Sequence, residues 1–156
     1  MENNQLTLEM LLNYIHTKDV PALRAVFENN EEIDIAELCD EIENPADLLF
    51  IFRTVKSDYN AELFAYLTSS QQEKLINLFT DKQLIELIKS SYTDDIVDFL
   101  IDMPANLVSR VLNISVHAIR SDINRLLNYK EGTAGSIMTT EYVLLQDNMT
   151  VNDALV

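Results

Sequence analysis

The chain has 156 residues, with 11 Lys and Arg against 26 Asp and Glu, a formal charge of −15 at neutral pH. So acidic a surface repels phosphate, which puts nucleic acid and anionic lipid headgroups last among partners and leaves cations or basic protein faces as counter-charges. Hydrophobic residues reach 47%, enough to fill a core, yet the longest apolar run, Leu48 to Phe52, is far short of the ~20 residues that cross a bilayer.

The chain opens with acid and amide side chains in Met1 to Leu12, where a secretory signal would carry a basic region. Cys39 is the single cysteine and cannot staple the fold, so a reducing, cytoplasmic setting is expected.

Helix-start signals then follow in order. They are Asp19 before Pro21, Asn44 directly before Pro45, Ser70 with Glu73, Thr80 with Gln83, and Thr93 before two aspartates. The three prolines fall where helices can begin, and both glycines, Gly132 and Gly135, lie near the C-terminus. The first ~130 residues therefore read as roughly ten helices of about ten residues. Apolar spacing agrees: Leu75, Leu78 and Phe79, then Leu84, Leu87 and Ile88, mark one buried stripe per helix.

Val55 to Leu67 (VKSDYNAELFAYL) aligns with Ile88 to Leu100 (IKSSYTDDIVDFL) at an offset of 33 residues, and Ala36 to Ile42 (AELCDEI) is a weaker copy of Ala61 to Leu67. Helical repeats of this length predict an all-α solenoid of stacked helix pairs, a small superhelix over residues 1–130. From Glu131 the character changes. Glu141 to Leu145 (EYVLL) is rich in strand formers, and Thr150 is placed to cap a new helix. Residues 131–156 are expected to be a linker and the truncated start of a second module, too short to complete a core.

Several chemistries can be set aside. Cys39 lies among acids with no basic neighbour, which raises a thiol pKa rather than lowering it. His16 and His117 stand apart from each other and from any zinc spacing. Gly132 and Gly135 do not form a phosphate loop. What remains is carboxylate. Asp94, Asp98 and Asp102 recur every fourth residue opposite the apolar stripe Ile96, Phe99, Leu100 and Met103, and no Lys or Arg lies between Lys89 and Arg110. Each like-charge pair costs ~0.2–0.5 kcal/mol of helix stability, which a hard divalent cation would offset; loosely spaced carboxylates suit Mg²⁺ better than a Ca²⁺ cage. The plain alternative is solvated surface charge. It accounts for the nine acids between Arg24 and Arg53, and the helix dipole favours Asp94 and Asp95 in a first turn.

The succession DIAEL at Asp34 to Leu38, DDIVDFL at Asp94 to Leu100, Tyr129, TAGSIMTTEY at Thr133 to Tyr142 and TVNDAL at Thr150 to Leu155 resembles the cytoplasmic part of MgtE-type magnesium transporters. The match runs along about 120 residues, and the A-G-x-x-M-T-x-E-Y junction is its most specific element. The resemblance implies a right-handed superhelix of short helices followed by the start of a first CBS domain with α/β architecture. It implies a regulatory, non-catalytic role at the cytoplasmic face of a membrane, in a homodimer whose remaining CBS and transmembrane domains complete the protein. By motif it carries Mg²⁺ ligands onto Asp94, Asp98 and Glu62, with the backbone near Gly135 as a further contact. The partner half of each site would lie in CBS acids beyond Val156. The rival reading is an acidic helical-repeat adaptor for basic proteins, like the helical domains of flagellar rotor switch proteins, though an adaptor has no need of the junction motif.

Overall fold

A computed structural model of the chain describes residues 6–55, 57–130, 132–142 and 144–154. Among them, ten helices of nine to eleven residues follow one another: α1 (Leu8–His16), α2 (Val20–Asn29), α3 (Glu32–Asp40), α4 (Pro45–Thr54), α5 (Ser57–Tyr66), α6 (Ser69–Leu78), α7 (Asp81–Ser90), α8 (Thr93–Ile101), α9 (Ala105–Ile114) and α10 (His117–Leu127).

Local sequence sets several of these starts. The Asp19 carboxylate accepts from the Ala22 N–H, Asn44 accepts from Ala46 ahead of α4, and Thr80 with Gln83 closes a reciprocal capping box on α7. Two starts differ from expectation. α6 begins at Ser69 behind Thr68 rather than at Ser70, because the Thr68 hydroxyl and N–H both donate to the distant Asp40 carboxylate at 2.9 and 3.0 Å. Thr93 is not the cap of α8 but its first residue, and Tyr92 before it supplies no side-chain bond.

The helices pack next but one. α2 and α6 both flank α4, α3 and α7 flank α5, α9 lies on α7, and α10 on α8, while α5 also touches α8 directly. Helices thus recur in threes rather than pairs: α5 starts at Ser57 and α8 at Thr93, 36 residues apart, three more than the offset of the sequence copies. Polar ties follow the same period of three. From α6, Gln71 Nε2 donates to the carbonyls of Cys39, Asp40 and Ile42 at the end of α3. From α9, Arg110 donates to the carbonyls of Ile76 and Phe79 at the end of α6 and pairs with Asp81 at 2.7 Å. Each tie satisfies carbonyls that a helix C-terminus leaves without partners.

One core runs through the stack, and α4 gives it Leu48, Leu49, Ile51 and Phe52, all buried. Phe52 meets Phe79 and Phe64 edge-on at 5.8 and 6.4 Å, and Phe64 meets Phe99 at 5.1 Å, so one file of rings links α4 and α5 with α8. Cys39 is fully buried, and burial first, then Asp40, pushes its thiol up to about 12. Thiol reagents at pH 8 should therefore label the native chain about a thousandfold more slowly than the urea-unfolded chain, measured by absorbance of the released chromophore.

After α10 come a short 3-10 turn, Ala134–Ile137, and α11 (Val151–Ala154), which starts directly after Thr150 as expected. The expected strand does not form among the described residues of the EYVLL segment. Tyr142, Leu144 and Leu145 are exposed and irregular, because strand-forming side chains need a neighbouring strand to complete the hydrogen-bond ladder. Gly135 packs so closely on Tyr129 that an added Cβ would stand 2.5 Å from its ring. Gly135→Ala should consequently lower the melting temperature, whereas Gly135→Ala combined with Tyr129→Ala should recover most of that loss.

Candidate functional site

The seam between α5 and α8 collects the acids. α8 turns Ile96, Val97, Phe99 and Leu100 inward, and that packing leaves Asp94 and Asp95 half-buried and Asp98 exposed at the rim. α5 lies against α8 and brings Glu62, which is exposed. Glu141, from the segment after α10, is fixed beside them by the N–H and hydroxyl of Thr93.

Asp95, rather than Asp94, is the centre of this group. Burial raises its carboxyl pKa first, and the charges of Asp94, Asp98, Glu141 and Glu62 raise it further. Asp98 is raised by burial and then by Asp94. Glu141 goes the other way: burial raises it, but the bonds from Thr93, Thr140 and Thr139 outweigh burial and hold it below the usual value. Asp95 also lines two cavities of about 200 Å³. One contains Asp98, Ser69 and Gln72, and the other contains Glu62, Ser90 and Ser91.

Of the sequence-predicted residues, Asp94, Asp98 and Glu62 thus share one acidic neighbourhood, while Gly135 sits on Tyr129 just after α10. Asp102, the last of the aspartate row, is the C-cap of α8 and accepts from the Ser69 hydroxyl at 2.8 Å, so it ties α8 to α6. Asp95 and Glu141 are the acids that spacing alone passed over. The internal repeat held a signal for Asp95, since it stands where the earlier copy has Glu62. Glu141 lies in the junction motif but has no local mark of its role.

No Lys or Arg pairs with these acids among the described residues, whose ion pairs are His16 with Asp47, Arg110 with Asp81 and Arg125 with Asp122. Asp94 Oδ1 is buried with no hydrogen-bond partner, a costly state for a carboxylate oxygen. The oxygens are the hard donors that Mg²⁺ prefers. Among the described residues, however, no set of three or more His, Cys, Asp or Glu side chains could hold a metal ion. No described helix is long and apolar enough to cross a membrane.

Comparison with known proteins identifies the family. The chain is 29% identical over 135 residues to the magnesium transporter MgtE of Bacillus subtilis, covering 79% of this chain and 30% of that protein. It is 28% identical over 141 residues to the magnesium transporter MgtE of Thermus thermophilus, covering 88% of this chain and 31% of that protein. The chain therefore spans about a third of the length of these relatives. In fold it matches the soluble part of a magnesium transporter, with a TM-score of 0.82 at 21% identity over 95% of this chain and 58% of that one. It also matches the cytosolic domain of the Mg²⁺ channel MgtE in complex with ATP, with a TM-score of 0.78 at 26% identity over 95% of this chain and 60% of that one. The model of the MgtE intracellular N domain matches residues 30–132, and the chain belongs to that family.

Proposed function

We propose that this chain is the magnesium-sensing regulatory part of a magnesium transporter, its acidic α5–α8 seam facing a following CBS module. The observation that carries this reading is the partnerless oxygen of Asp94 within a group of five carboxylates that no basic side chain neutralises among the described residues. No three acids of this chain hold one ion together among the described residues, so Asp94, Asp98 and Glu62 would each supply one half of a site whose other half is an acid of the CBS module, with the Gly135 backbone as a further contact. Bound there, Mg²⁺ supplies positive charge between two surfaces that otherwise repel. Repulsion among the carboxylates favours a superhelix swung away, and neutralising them favours the compact arrangement, since a ligand shifts an equilibrium toward the state it binds better. In a homodimeric transporter the compact arrangement would hold the pore closed, giving feedback against overload. Residues 131–156 serve as the junction into that module.

In a chain extended through the CBS module, titrating Mg²⁺ is expected to reduce the radius of gyration measured by small-angle scattering, and Asp94→Asn with Asp98→Asn to abolish the change. Equal compaction in the variant would overturn the reading. Millimolar Mg²⁺ should also raise the melting temperature more than Na⁺ of the same ionic strength. An equal shift would mean charge screening alone, the outcome that the adaptor reading requires.

A further inference from the structure

Thr93 opens α8, so its backbone N–H has no partner within the helix, and Tyr92 offers no side-chain cap. Both donors of Thr93 instead meet one acceptor 48 residues away, the N–H reaching Glu141 Oε1 at 3.1 Å and the hydroxyl donating to the same oxygen. Thr93 is 4% exposed, so its two donors have little water to turn to instead. The second carboxylate oxygen of Glu141 accepts from the hydroxyls of Thr139 and Thr140 at 3.3 and 3.0 Å, which turns the carboxylate toward α8. The Thr68–Asp40 pair uses the same two donors on one oxygen, and there it joins two elements of the superhelix itself.

Two further contacts hold the same segment. Gly135 is seated on the Tyr129 ring, and Met138 packs against the hydrophobic core. Apolar cover alone is not what holds the segment, since Ile137 within it is 83% exposed, and beyond Glu141 Tyr142 is 75% and Leu144 70% exposed. The junction from 134 to 141 is thus anchored at its start, middle and end, although the family match stops at residue 132.

We propose that Glu141 is a clasp built into the fold: it locks segment 134–141 onto α8 and α10 without any metal, so that the rigid body ends at Glu141 and not at the two glycines. A glycine pair after a long helical run would ordinarily mark the pivot between modules. Here Gly135 serves close packing, and any pivot lies beyond the clasp. The junction motif then has a mechanical role as well as a position in the sequence, since its Thr-Thr-Glu end carries the carboxylate that holds α8. This inference does not rest on the magnesium reading, and its test is made in chelator.

The test is amide hydrogen exchange and ¹⁵N relaxation on the full chain, comparing the parent with Glu141→Ala and Glu141→Gln. Glu141 is exposed, so neither change opens a hole in the core. In Glu141→Ala the Thr93 amide should exchange about tenfold faster, and residues 134–141 should relax like those after Tyr142, while α1 to α7 keep their protection. Glu141→Gln retains an acceptor oxygen and should stay within about threefold of the parent. Equal Thr93 exchange in the parent and in Glu141→Ala would overturn the clasp. So would a parent junction that relaxes like residues 144–150, or a Gln variant exchanging as fast as the Ala variant.

Discussion

Phe64→Ala is expected to destabilise the chain by ~3–5 kcal/mol, seen in urea as a lower midpoint at an unchanged slope. Phe64 is 1% exposed, and its ring meets Phe52 at 6.4 Å and Phe99 at 5.1 Å, both nearly perpendicular. Truncation removes the apolar area of a whole ring and both edge-to-face contacts, each of which adds ~0.5–1.5 kcal/mol beyond burial. The cavity lies where α5 meets α3, α7 and α8, and those helices are too short and too closely tied to close over it. Phe64→Leu keeps most of the volume and should cost about half as much. A loss below ~1.5 kcal/mol for Phe64→Ala would mean that the site collapses freely and that the file of rings does not hold the stack together.

That file also explains how the site is positioned. Glu62 lies on α5 two residues before Phe64, and Asp95 and Asp98 lie on α8 next to Phe99 in the same turns. The ring contact between Phe64 and Phe99 therefore sets how near the acids of the two helices stand. A core packed for stability brings like charges together as a consequence, and their repulsion is a cost carried by the fold.

Much of this could be read from the sequence, for a physical reason. Caps and apolar stripes act within one or two turns, so Asp19, Asn44 and Thr80 with Gln83 announce their helices locally, and the period of the apolar residues separates helix from strand. The starts that differ, at Thr68 and Thr93, are those where a carboxylate 28 or 48 residues away takes the threonine's donors. Segment EYVLL shows the same limit from the other side, since strand preference is realised only beside a partner strand. In the site, the row of aspartates at every fourth residue was visible, but which of them faces α5 depends on how α8 is rotated in the stack. That rotation places Asp95 at the centre and uses Asp102 to hold Ser69.

Replacing Asp95 and Asp98 together by Asn should stabilise the chain near pH 7 at low salt, the reverse of what most substitutions do. Both carboxyls titrate above the ordinary aspartate value in the folded chain, through burial first and then neighbouring charge. Between the ordinary value and the raised one, the folded state binds more protons than the unfolded state, so stability falls as pH rises through that window and the loss is complete at neutral pH. Glu141 has the opposite sign. Its lowered folded value contributes stability that is present above the ordinary value and disappears as pH falls through the folded one. The doubly substituted chain keeps only the second slope, so its gain over the parent should be larger at pH 7 than at pH 4. With like-charge neighbours costing ~0.2–0.5 kcal/mol each, the gain is on the order of 1 kcal/mol, or roughly 2–4 °C in melting temperature for a chain of this size. The helix dipole works against this gain at Asp95, which lies in the first turn of α8, while burial and four like charges raise its carboxyl. Stability that rises on removing carboxylates is what a site kept for ligand rather than for folding should display. A gain equal at both pH values, or a loss at pH 7, would show that these aspartates are ordinary solvated surface.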